Sequence, residues 1–259
     1  MTWFPFFLNL YALGTAGSIV AVPYKDIGKY YFKFHTLVAL LMVAGAVVLG
    51  RPWQALGAGS PLARAAAAAS MLFALLVLVE YVVVRAAGSD LRKDALLLPV
   101  SMGAVAVSLT AFASGGHGTA NAALLAAHLI TCAAVLGTSL VAMSTGHWYL
   151  SNAKLSFGIL VRLCRLFVGA LLAKAVVSGF YLATRFEKYR ALEEFDQLVI
   201  LVRVLAGLGF GLALGFMSLS CAKGRSNQSA TGILYVAVVF VLIGETISMF
   251  LTLARRTPI

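Results

Sequence analysis

Apolar residues run along this chain in long, unbroken stretches, cut by short segments of charged and turn-forming residues. Eight stretches lie at 3–22, 32–50, 62–85, 95–113, 119–144, 156–184, 197–221 and 231–254. Each is close to or above the roughly 20 residues that a helix needs to cross about 30 Å of hydrocarbon. Strands of a membrane barrel would alternate with a period of two, so continuous runs predict helices. The separators, Pro23–Tyr31, Arg51–Pro61, Ala86–Asp94, Ser114–Gly118, Thr145–Leu155, Arg185–Asp196 and Ala222–Ala230, read as connections. No internal repeat supports an inverted-repeat transporter fold. Residues Met1 to Val22 lack a preceding basic region and a following A-x-A-like site, so they read as a retained first helix rather than a cleaved signal. The expected fold is an all-α integral membrane bundle of about eight transmembrane helices, one transmembrane domain over 1–259.

Composition agrees. The chain is 61% hydrophobic and 11% charged, against about 45–50% and about 25% in soluble domains. Too few charges remain to make a solvated skin around a soluble domain, and the same numbers exclude a disordered chain, a disulfide-stapled secreted module and a nucleic-acid-binding domain. Cys132, Cys164 and Cys221 lack metal or disulfide spacing and read as small apolar residues.

The formal charge of +11 then carries topology rather than a preference for acidic partners. With the N-terminus outside, the inner loops hold Lys25, Lys29, Lys33, Arg85, Arg92, Lys93, Lys154, Lys223 and Arg225. The outer side holds Arg51, Arg185, Lys188, Arg190, Arg255 and Arg256. The excess of inner cations favours both termini on the outer, periplasmic side of a bacterial inner membrane. In the connection from Arg185 to Leu198, Phe186, Tyr189, Leu192 and Phe195 recur at three-residue spacing, as in a short helix lying on the membrane surface or a solvated loop.

The chemistry must come from the few ionisable residues within the stretches: His35, Glu80, His128, Arg162, Arg165, Lys174, Arg203 and Glu245. Such a group costs about 2.5–3.5 kcal/mol at the centre of a span and therefore has a partner or a task. Counting the helical rise of about 1.5 Å per residue, His128, Lys174, Arg203 and Glu245 fall at one level in the outer half of the bilayer. Glu245 can pair with Lys174 or Arg203 as a plain structural bridge. The same set, two bases and an imidazole beside an acid, can also donate to a quinone carbonyl and move protons. Arg203 heads a stripe with Gly207, Gly211 and Gly215, a bare face for close helix packing or for a flat cofactor.

A second level holds His35, Glu80, His147, Arg162 and Arg165. His35 and His147 are candidate axial ligands of a b-type haem, with the two arginines facing its propionates. His147 also sits in an interfacial aromatic sequence, where a histidine at headgroup level is ordinary. His128 could hold a second haem only with His117, in the Gly-rich turn at 114–118. His35 with Glu80 and the arginines also meets the chemical description of a quinone site.

Two stretches, Gly146-His-Trp-Tyr-Leu150 and Arg225-Ser-Asn-Gln-Ser-Ala-Thr-Gly-Ile-Leu-Tyr235, followed by Gly244-Glu245, resemble a family of bacterial polytopic membrane proteins over the C-terminal half. That resemblance brings no assigned activity. In architecture alone, eight spans without a soluble domain are similar to the quinone-reactive membrane subunits of respiratory oxidoreductases, the polysulfide-reductase-anchor type among them. No site residue carries over from either.

No P-loop, dinucleotide fingerprint, HExxH, nucleophile elbow or cluster-binding cysteine pattern occurs. Chemistry is therefore intramembrane or belongs to a partner. The expectation is a membrane subunit of a respiratory or photosynthetic electron-transfer complex that anchors a redox partner and exchanges electrons with quinone, with or without haem b. The alternatives are a proton- or anion-coupled transporter or channel, and a non-catalytic subunit of a membrane supercomplex.

Overall fold

The computed structural model describes residues 3–86, 93–114, 118–151, 156, 158–185, 187, 190 and 193–254. The described residues are helical nearly throughout. In chain order they form α1 (Trp3–Ile19), α2 (Tyr24–Ile27), α3 (Lys29–Gly50), α4 (Trp53–Ala58), α5 (Pro61–Ala86), α6 (Lys93–Ser114), α7 (Gly118–Ser151) and α8 (Gly158–Thr184). There follow α9 (Glu194–Val202), a π-helical segment Arg203–Phe210, α10 (Gly211–Lys223) and α11 (Asn227–Ala254). Among the described residues, seven helices are long and apolar enough to cross a membrane, the stretch Glu194–Lys223 counting as one. The chain is accordingly a multi-pass membrane protein.

The apolar pattern sets the long helices within a few residues of their expected ends, with one exception. α7 continues to Ser151, so the aromatic sequence after Thr145 forms its last turns instead of a connection. Two of the expected connections also carry short helices, α2 and α4. Between α2 and α3, Gly28 takes φ +89, a left-handed backbone that suits a residue without Cβ. Phe186, Tyr189 and Leu192, on which the surface-helix reading of that connection depends, lie outside the described residues, as does the turn at 115–117 with His117.

The chain divides into two compact units, Met1–Gly137 and Thr138–Ile259, with the boundary inside α7. In the first, α1 packs on α3 and α6, α3 on α5, and α5 on α6 and α4. α1 is predominantly apolar, and 13 of its 17 residues are buried, as expected for a helix enclosed by others. It reaches α7 at a bare spot: a Cβ on Gly14 would fall on the Ala133 backbone, and one on Gly137 would fall on Gly14. α5 turns a single stripe inward, Ala66, Ser70, Phe73, Val77, Glu80 and Val84. The residues along it change from small near the helix start to large near its end.

In the second unit, α10 packs on α8 and α11, and the π-helical segment packs on α11. The two stretches quoted for the family resemblance meet here. Tyr235 and His147 Nδ1 share a 2.9 Å hydrogen bond. A Cβ on Gly146 would lie 2.6 Å from the Thr231 hydroxyl oxygen. The resembling segments are thus one packing contact between α7 and α11.

Candidate functional site: a buried charge centre in the second unit

Glu245 projects from α11 between two cations. Arg203 Nη2 donates to its Oε1 at 2.7 Å, and Lys174 Nζ of α8 lies 3.3 Å from its Oε2. The side chains are fully enclosed, at 0% exposure for both cations and 2% for the acid. Two formal positive charges thus share one carboxylate. In a low-dielectric interior such charges persist only through close pairing.

Glycine makes this approach feasible. A Cβ on Gly207 would stand 2.7 Å from the Gly244 Cα, so the π-helical segment and α11 touch backbone to backbone one residue from Glu245. The Arg203 guanidinium lies over Gly207, in the space a side chain there would claim. Arg203 is therefore carried by a bare helix face to a carboxylate that a normally packed helix pair would hold further off.

The π-helix serves the same arrangement. In an α-helix four residues overshoot a full turn of 3.6, so a four-residue stripe drifts around the axis. The wider i→i+5 turn absorbs the overshoot. Arg203, Gly207, Gly211 and Gly215 all remain buried across the segment and into α10. Gly211 and Gly215 then meet Leu171, Val168 and Phe167 of α8. The stripe is occupied by helix packing along its length. On α11, Ser248, Met249 and Thr252 are buried on the face of Glu245, with the Thr252 hydroxyl bonded to the Ser248 carbonyl at 2.7 Å.

The other residues singled out in the sequence are placed as follows. His147 is exposed at the end of α7 and partnered by Tyr235. Arg162 and Arg165 are exposed on the first turns of α8. In the first unit, His35 is buried near the start of α3, its Nδ1 2.9 Å from the Tyr31 carbonyl and its ring 4.1 Å from the Tyr31 ring. His128 is fully buried on α7, also within the first unit. Glu80 is buried on the inward stripe of α5, and neither of its oxygens has a hydrogen-bond partner among the described residues. His35 is six residues from the start of α3, and Glu80 is six from the end of the adjacent α5. Among the described residues, no group of three or more His, Cys, Asp or Glu side chains is placed to hold a metal ion.

No family model matches the chain, and no curated protein or solved structure does. The functional reading therefore stands on residues and geometry.

Sequence reasoning looked only at ionisable groups and so passed over Asn9. This buried amide on α1 has an Oδ1 without a hydrogen-bond partner among the described residues. The signal was available, since Asn9 interrupts an otherwise apolar stretch. Gly244 was read as part of a motif, and its role as the contact point for Gly207 emerges only from the packing.

Proposed function

We propose that the chain is a membrane subunit of an electron-transfer complex, which anchors a redox partner and exchanges electrons with quinone. The observation that carries this reading is the Lys174–Glu245–Arg203 centre, two cationic donors and an acid enclosed by apolar helices. Quinone reduction takes up two electrons and two protons. The partner supplies the electrons, and a buried carboxylate held between bases is a relay through which protons pass within hydrocarbon. Lys174 and Arg203 keep that carboxylate in place. A b-type haem would add an electron carrier to this scheme, with His35 as the buried imidazole it would draw on.

The same reading sets α1 as an eighth span, since its 17 residues are at the lower limit, about 17–25, for crossing a bilayer. With α1 included, the loop cations put both termini on the periplasmic side of a bacterial inner membrane, and the other subunits of the complex supply the soluble chemistry.

A second reading has its own support. The three side chains pair closely and the glycine stripe is filled by neighbouring helices, as a purely architectural subunit requires. A coupling role for the same charges in a transporter would need water at their level.

Native purification separates these readings. The electron-transfer reading expects quinone in the lipid extract of the purified complex and a redox protein that co-purifies with the chain. It also expects quinol oxidation or quinone reduction by that complex to fall at least tenfold in Lys174→Met. A complex without quinone or redox partner overturns the reading in favour of the architectural one.

A further inference from the structure

The first unit contains a cavity of about 470 Å³ where the start of α1, the end of α3, α4, the start of α5 and the end of α6 come together. Its origin is in the sequence. Residues 65–69 of α5 are all alanine, and Ala66, Ala67 and Ser70 face the space. Two turns further along the same stripe, Phe73 and Val77 fill the equivalent position. Ala46 of α3 and Ala113 of α6 close the other walls with equally small side chains.

Polar groups are few in these walls and nearly all committed. The Ser70 hydroxyl donates to the Ala66 carbonyl at 2.9 Å, and that of Thr110 to the Ala106 carbonyl at 2.8 Å. Asn9 differs. It lines the cavity, is 93% buried by its 7% exposure, and its Oδ1 has no hydrogen-bond partner among the described residues. Buried amides in folded proteins are ordinarily paired, so an exception marks a group whose partner is missing. Asn9 lies six residues into α1, about 9 Å along the helix at 1.5 Å per residue. At the mouth stand exposed Arg51 and Gln54.

We propose that this cavity binds the head of a quinone, with Asn9 as its hydrogen-bonding residue, an inference that rests on the electron-transfer reading above. A primary amide both donates and accepts. Its N–H meets the carbonyl of the oxidised ring, and its oxygen accepts the O–H of the reduced ring. The same residue thus serves the ligand before and after it gains two electrons and two protons. The volume lies at the small end of the range for ligand pockets, about 300–1,000 Å³, which suits one substituted ring. Apolar walls take the ring faces. A neutral amide favours a neutral head, whereas an anionic headgroup would stop at Arg51.

The test is photolabelling of the purified full-length protein with an azido-quinone, followed by peptide mapping. Label is expected on α1, α3 or α5 around the cavity, displaced by excess quinone. Asn9→Leu is expected to weaken labelling by about tenfold, the equivalent of one hydrogen bond, and Ala67→Phe to abolish it by filling the space. Both variants are checked for an unchanged thermal melting point in detergent, and Asn9→Ser replaces any variant that fails this check. Label confined to α8, α10 or α11 overturns the cavity as the quinone site while leaving the electron-transfer reading intact. Label on the cavity displaced by phospholipid but not by quinone overturns the assignment in favour of a lipid ester. Absence of label together with absence of quinone from the native complex overturns both.

Discussion

Each unit buries a glutamate within its helix packing, Glu80 in the first and Glu245 in the second, and the two are treated in opposite ways. In the second, Glu245 is held by Arg203 at 2.7 Å and Lys174 at 3.3 Å. In the first, both oxygens of Glu80 lack a hydrogen-bond partner among the described residues. Around Glu245 two cations converge, and a glycine contact brings Arg203 into range. In the first unit the Asn9 oxygen is open beside a cavity. Paired charges favour a fixed arrangement of helices, whereas an open acceptor beside a void favours an incoming ligand.

One substitution applied to both acids is the most direct way to break that contrast. Glu245→Met removes the carboxylate that Lys174 and Arg203 share and is expected to cost about 3–5 kcal/mol, the usual penalty for breaking a buried pair from one side. Chemical unfolding in detergent, or the yield of folded protein, reads the effect. Adding Lys174→Met and Arg203→Met to the same chain is expected to recover most of the loss, because the three residues act as one group. If the triple variant is no more stable than the single one, the centre is not an internally balanced charge set.

A smaller effect is expected at the glycine contact. Gly207→Ala puts a methyl 2.7 Å from the Gly244 Cα and into the space of the Arg203 guanidinium. The helices must separate, at an overpacking cost of about 1–3 kcal/mol, and the Arg203–Glu245 pair lengthens with them. In a Glu245→Met background the same change is expected to cost less, since no pair then remains to be lengthened. Equal costs in both backgrounds would mean that the contact packs helices without serving the charge pair.

Much of this architecture was legible in the sequence. The long helices follow from unbroken apolar runs, because hydrocarbon permits few other backbones. Depth counting from helical rise brought His128, Lys174, Arg203 and Glu245 to one level; the structure joins the last three, and His128 belongs to the first unit. The π-helical segment was not legible, since nothing in Arg-Val-Leu-Ala-Gly-Leu-Gly-Phe forbids an ordinary α-helix. Only the persistence of a four-residue stripe through it hints at the wider turn. The cavity was hidden for a different reason: alanines on a helix face usually signal close packing, and whether they leave a void depends on their neighbours on other helices. The end of α7 was misread because Gly146 and its aromatic successors resemble a membrane-edge connection. In the structure they continue the helix, with Gly146 and His147 packed against α11.

The smallest expected effect sharpens the comparison most. Glu80→Met removes a buried carboxyl that forms no hydrogen bond with any described residue and replaces it with an unbranched apolar chain of comparable reach. No described interaction is lost, and an unsatisfied group is removed from an apolar stripe bounded by Val77 and Val84. Replacement of an unpaired buried polar group by an apolar one ranges from neutral to stabilising, here by about 1 kcal/mol or less. The same chemical change would then cost several kcal/mol in one unit and nothing in the other, measured in the same detergent and by the same unfolding transition. A loss at Glu80 as large as that at Glu245 would mean that the first unit also depends on its buried acid for stability. A stable Glu80→Met protein that loses quinone-linked turnover would instead assign the carboxyl to the reaction.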